Sequence, residues 1–281
     1  MITTPVALIV LFSALMHASW NCLVKASPDA LLDTVGLAVG ASVLALCLLP
    51  LVPLPAPASL PWLGATIFIH IAYFVVLVEA YRHADLSIAY PIMRGAAPVL
   101  VALATPMAGE ALSPGLVAGV SLIGLGIMLP AWLGLRRGAV ACGSLWFACA
   151  NAFVIAGYTL VDGVGVRLSG SAASYTLWLF FVDAWGIFAF AWWQRGNSVL
   201  AHLRRRWAPA LAGSALTLGS YGIVLWAMTV APIPAVAALR ETSVVFAAVL
   251  GALVLKEQMG RSRIAGALLV GLGAAALRWA S

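Results

Sequence analysis

The chain has 281 residues, of which 64% are apolar and 9% charged, with 11 Trp, 26 Gly and 15 Pro. A soluble domain carries about a quarter charged residues and under half apolar ones, so this composition excludes one. The net charge of +6, from 15 Lys and Arg against 9 Asp and Glu, does not build a nucleic-acid-binding face, because the basic residues gather at the ends of apolar segments, where lipid headgroups attract them.

Between Thr34 and Glu79 there is no charged residue, a run long enough to cross about 30 Å of hydrocarbon more than once. Cutting at charges, prolines and glycine turns predicts ten helices, at 4–24, 31–51, 61–81, 86–108, 113–135, 140–161, 171–193, 208–230, 233–255 and 262–279. Each holds about 20 residues, the length of one crossing. The segment Met1 to Pro5 has no basic region and the first apolar run leads into a polar helix face, so the first helix is expected to stay in the membrane. Cys22, Cys47, Cys142 and Cys149 lie inside apolar runs with no ligand spacing and read as small buried residues.

The two halves match each other. Tyr90-Pro91-Ile92-Met93-Arg94 corresponds to Val236-Ala237-Ala238-Leu239-Arg240, and after a one-residue slip Gly109-Glu110 corresponds to Lys256-Glu257 and Gly124-Leu125-Gly126 to Gly271-Leu272-Gly273. The expected architecture is an all-α integral membrane protein of ten transmembrane helices in two five-helix repeats, 1–137 and 138–281. Five is odd, so the second repeat enters the membrane from the opposite side. Inverted repeats are a transporter architecture with the substrate site near the midplane. Orientation follows from Lys25, Arg82, Arg136, Arg137, Arg195, Arg204, Arg205, Arg206, Lys256, Arg261 and Arg263 on one side against Arg167 and Arg278 on the other. The positive-inside rule then places both termini outside the cytoplasm.

The sequence resembles the EamA branch of the drug/metabolite transporter superfamily over nearly its whole length. The residues that carry the resemblance are His17-Ala18-Ser19-Trp20-Asn21, Tyr90-Pro91-Ile92-Met93-Arg94-Gly95, and Leu239-Arg240-Glu241-Thr242-Ser243-Val244-Val245-Phe246 leading to Lys256-Glu257. The resemblance implies secondary transport of small metabolites across an inner membrane. Members with known substrates include amino-acid exporters of the YddG type, which prefer aromatic and other hydrophobic amino acids. The superfamily also carries sugars, nucleotide sugars, phosphorylated metabolites and cations.

Ionisable residues inside the bilayer cost roughly 2.5–3.5 kcal/mol each on insertion scales and are functional candidates by default. Arg94 and Arg240 sit at equivalent places in the repeats, and each guanidinium can hold a substrate carboxylate with paired hydrogen bonds. Glu241 follows Arg240 but points about 100° away on a helix, so it needs another partner, a substrate ammonium or a proton. His17, Trp20 and Asn21 share one face of the first helix. Polar and aromatic stripes recur as His70, Tyr73, Phe74 and Tyr81, as Asn151, Tyr158 and Asp162, and as Ser214, Thr217 and Tyr221. They can line a cavity or hold helices together.

The substrate-binding candidates are therefore His17, Trp20, Asn21, Tyr73, Tyr90, Arg94, Tyr158, Tyr221 and Arg240, and the proton-coupling candidates are His17, Asp183 and Glu241. Gly119, Gly126, Gly266 and Gly273 are expected to serve close helix packing, between repeats or in a dimer. Pro91, Pro98, Pro232 and Pro234 are expected kinks or gates. No phosphate loop, HExxH motif or Ser/His/Asp order points to ATP use, a metal, a cofactor or an enzyme. The expected partners are the lipid bilayer and a small molecule, amino acids foremost, with no nucleic acid and with monomer and homodimer both open. The rival readings are a carrier of sugar phosphates or nucleotide sugars, and an intramembrane enzyme acting on lipid-linked substrates.

Overall fold

The computed structural model describes residues 2–83, 86–135, 142–254, 256 and 260–279. Among them every regular element is helical. The long helices are α1 (Thr4–Lys25), α2 (Ala30–Leu48), α3 (Leu60–His83), α4 (Leu86–Ala104), α5 (Pro114–Leu135), α6 (Cys142–Leu168) and α7 (Ala172–Arg195). A short helix α8 (Ser198–Arg205) precedes α9 (Trp207–Val230), α10 (Ile233–Glu241), α11 (Ser243–Val254) and α12 (Arg261–Trp279). Glu257, and the side chains of Phe74 and Tyr81, lie outside the described part.

Local chemistry sets the starts. Asp29 caps α2 by accepting from Leu32 N at 3.1 Å, and Ser171 caps α7 by accepting from Ser174 N at 3.2 Å. Pro114 opens α5, and the Ser113 hydroxyl accepts from Leu116 N at 3.2 Å. Nine helical stretches among the described residues are long and apolar enough to cross a membrane, with α10 and α11 counted together. The remaining predicted span, α12, falls short in composition because Arg261, Arg263 and Arg278 flank its apolar middle. Large apolar side chains such as Phe12, Phe68, Phe153, Leu253 and Leu268 are exposed. An apolar exterior of that extent needs lipid around it. The chain is a multi-pass membrane protein.

Three elements differ from the sequence expectation. The helix expected at 140–161 runs on to Leu168, so Asp162 lies within it rather than at its edge. The basic run at 195–206, expected as a loop, folds as α8. The helix expected at 233–255 is broken at Thr242. There the Thr242 hydroxyl donates to Leu239 O at 2.6 Å and its N–H to the same carbonyl at 3.1 Å, which closes a tight turn before α11 resumes. Pro232 and Pro234 open α10 and do not kink it, whereas Pro91 and Pro98 lie inside α4.

The packing pairs exchange under the two halves of the chain: α3 lies along α6 and α1 along α9, while α2 lies along α7 and α5 along α12. The glycines predicted to permit close approach do so inside one chain. A Cβ on Gly126 would sit 2.7 Å from Gly266 O, one on Gly273 2.8 Å from Gly119 O, and one on Gly119 2.6 Å from Leu277 Cγ. The α5 and α12 backbones touch.

The halves are also clasped at both ends of the bundle. At the α2 start, Asp33 accepts from Arg206 Nε at 2.9 Å and from the second guanidinium nitrogen at 2.9 Å, and His202 Nε2 lies 2.5 Å away. At the opposite end Arg167 pairs with Glu110.

Gly126→Val is expected to lower the melting temperature of the purified protein by several degrees, the scale of about 1–3 kcal/mol of overpacking. Gly271→Ala, where a Cβ meets nothing within 4 Å, is expected to leave it unchanged in the same thermal scan.

Candidate functional site

Seven helices bring polar side chains into the bundle interior. Arg94, on α4, and Glu241, at the end of α10, form an ion pair with Nε and Oε2 2.7 Å apart. Their side chains are 8% and 4% exposed, so both charges have left water and each depends on the other. The N–H is poorly aligned with the contact, which leaves carboxylate lone pairs for another donor. His17 of α1 lies against the same arginine, with Nε2 3.5 Å from a guanidinium nitrogen. Trp20 sits edge-on to His17, ring centroids 5.0 Å apart, and its buried indole N–H has no partner among the described residues. Tyr90, one turn before Arg94, lies within electrostatic range of Arg94, Glu241, Arg240 and Tyr158.

Arg240 is buried next to this pair but makes neither an ion pair nor a hydrogen bond among the described residues. Its guanidinium carbon rests 5.0 Å from the centroid of the Tyr221 ring on α9, a cation–π contact. The two arginines and one glutamate together carry one net positive charge, and Glu241, Tyr158 and Tyr221 all lie within electrostatic range of Arg240.

A second polar group adjoins the first. Asp162 of α6 is fully buried, and it accepts hydroxyl hydrogen bonds from Tyr175 of α7 at 3.1 Å and from Tyr221 at 2.5 Å. His70 of α3 contacts Asp183 of α7 at 3.1 Å and lies edge-on to Tyr158 at 4.8 Å, with Tyr73 and Tyr158 at 6.0 Å. Asn151, on α6, donates to Met93 Sδ at 3.0 Å.

At one end of the bundle a cavity of about 360 Å³ opens beside Glu110, Arg167 and Pro232. Arg167 donates to Met228 O at 2.7 Å and to Ala231 O at 3.0 Å, satisfying carbonyls at the α9 end. Glu110 accepts from Ile233 N at 3.2 Å, so an acid from the first half caps the α10 N-terminus.

Of the residues singled out from sequence, His17, Trp20, Tyr90, Arg94, Arg240 and Glu241 meet directly or through one neighbour. Tyr158 and Tyr73 bridge them to His70, and Tyr221 carries Arg240. Asn21 donates to His17 O at 2.8 Å, within its own helix, and Asp183 belongs to the His70 group. Sequence reasoning placed Asp162 in a polar stripe without a partner and did not single out Tyr175. The signal for Asp162 was an acid only one residue beyond the expected helix end, and Tyr175 carried none.

An all-helical bundle that presents apolar side chains outward and encloses arginines and carboxylates has the make-up of a membrane transporter. Residues 143–279 match the model of the EamA-like transporter family. No curated protein matches the chain in sequence. One crystal structure superposes on it with a TM-score of 0.66 at 19% identity, over 97% of this chain and 95% of that chain, a likeness of fold.

Removing one partner of a buried ion pair strands the other charge. Arg94→Gln is expected to destabilise the protein by about 3–5 kcal/mol, and the double variant Arg94→Gln with Glu241→Gln is expected to recover most of that loss. Melting temperatures of the two purified variants check the ordering.

Proposed function

We propose that the chain is a secondary transporter that exports amino acids, aromatic and hydrophobic ones foremost, or closely related small metabolites, across an inner membrane by alternating access. What carries this reading is the unpaired Arg240. A guanidinium with no ion pair of its own among the described residues, enclosed beside the Arg94–Glu241 pair, suits one carboxylate. A dianion such as a sugar phosphate would find a single uncompensated positive charge, so the observation favours the monoanionic group.

In this reading Arg240 takes the substrate carboxylate and Glu241, with lone pairs left by its skewed contact to Arg94, takes the ammonium. Trp20, Tyr73, Tyr90, Tyr158 and Tyr221 receive the side chain as an aromatic wall. His17 and Asn21 complete the α1 face, and His17, Glu241 and Asp183 are the proton-coupling groups. The organisation proposed is ten crossings in two inverted repeats, 1–137 and 138–281, with both termini outside the cytoplasm. The exchange of packing partners between the halves supports it. The clasps at both ends, Asp33 with Arg206 and Glu110 with Arg167, correspond to an occluded state in which each end opens in turn.

The test is uptake of labelled amino acids into liposomes containing the purified protein. Saturable uptake, inhibited by excess unlabelled aromatic amino acid and unaffected by sugar phosphates, is expected. Arg240→Gln is expected to lower that uptake more than tenfold with membrane insertion intact, because it removes the carboxylate partner and strands no other buried charge. Wild-type rates in Arg240→Gln would discard the carboxylate assignment, and uptake of sugar phosphates alone would discard the substrate class.

A further inference from the structure

The unpaired arginine is held in place by something outside the site that binds substrate. The Tyr221 side chain touches Arg240 with its ring face, 5.0 Å from centroid to guanidinium carbon, and Asp162 with its hydroxyl, at 2.5 Å. Phe180 meets the same ring edge-on at 6.0 Å. Face, edge and tip are all engaged, so the ring has one place to be. The far end of this chain of contacts is anchored as firmly. Asp162 is fully buried and its other oxygen takes the Tyr175 hydroxyl at 3.1 Å. Tyr175 can come that close because residue 165 is glycine; a Cβ there would lie 2.8 Å from Tyr175 Cζ.

We propose that Asp162 is a positioning residue for Arg240, acting through Tyr221, and thereby sets the affinity of the central site for an anionic group. The proposal rests on Arg240 as the carboxylate-binding residue. The physical link has two parts. A hydroxyl donating to a carboxylate makes a stronger bond than one donating to a neutral acceptor, and burial strengthens it further. The same donation places partial negative charge on the phenol, and the guanidinium is attracted electrostatically to the electron-rich ring. Converting Asp162 to its amide leaves an acceptor of nearly the same shape but removes both effects. The guanidinium then loses the support that keeps it presented toward substrate.

The experiment uses the full chain in liposomes with a labelled hydrophobic amino acid. It compares Asp162→Asn, Tyr221→Phe, the double variant, and Asp162→Asn in an Arg240→Gln background. A KM increase of about tenfold in Asp162→Asn, the effect of roughly one weakened charge-assisted hydrogen bond, is expected with Vmax within about twofold of wild type. Tyr221→Phe is expected to match it, and the double variant to be no worse than either single one, because both cut one link. In the Arg240→Gln background Asp162→Asn is expected to change KM no further. Asp162→Glu, which keeps the charge, is expected to restore part of the affinity.

An unchanged KM in folded Asp162→Asn, or KM effects of Asp162→Asn and Tyr221→Phe that simply multiply, would overturn the link. Should Asp162→Asn fail to fold, Tyr221→Phe, which removes one oxygen, decides alone by the same criterion. If the wild type carries no amino acid, the substrate reading fails and the link is read instead by acetate. Acetate is expected to raise the melting temperature of wild type and not of Tyr221→Phe, and an equal rise in both would overturn the proposal.

Discussion

A guanidinium enclosed by apolar helices is costly without a counter-charge beside it, and Arg94 has one in Glu241. The partners come from opposite halves of the chain, so the ion pair holds α4 against α10 and makes the interior one unit. Its desolvation cost is set against an attraction that low polarity enlarges. Everything else polar in the interior is arranged around this balance. His17 and Tyr90 crowd the arginine, while Arg240 is left with an aromatic face where Arg94 has an acid. The two arginines thus differ in what they face, an acid for Arg94 and an aromatic ring for Arg240.

The helices themselves were legible because a bilayer requires length and apolarity, and both are additive along a sequence. The close approach of α5 and α12 was legible too, in the spacing of Gly119, Gly126, Gly266 and Gly273, although the choice between packing within one chain and packing between two chains was not. The break at Thr242 was hidden because the apolar run from Ile233 to Val254 is continuous, and the turn depends on where one hydroxyl finds its carbonyl. Helix α8 was hidden by its charge, since a short stretch with basic residues reads as a loop, and its contact with the first half, His202 on Asp33, is a tertiary one.

The site was legible in kind and not in its pairing. Intramembrane arginine, histidine and glutamate stand out in any apolar sequence. That Glu241 meets Arg94 depends on a tertiary contact between residues in different halves, which periodicity along one helix does not encode. The partners of Asp162 were hidden for a related reason. The sequence put it in a polar stripe with Asn151 and Tyr158 at the end of a helix expected to stop at 161, whereas the helix continues to Leu168 and buries it between two tyrosines.

Helix α10 begins under Glu110 and ends with Arg240 and Glu241. The seven steps from Ile233 to Arg240 span about 10 Å of rise, with no break between. A rod so short does not bend, so a displacement at its capped tip reaches the charged end undiminished. The carboxylate of Glu110 and the Arg94–Glu241 ion pair thus sit at the two ends of one helix. A contact at one end of the bundle and charges in its interior therefore share one short element.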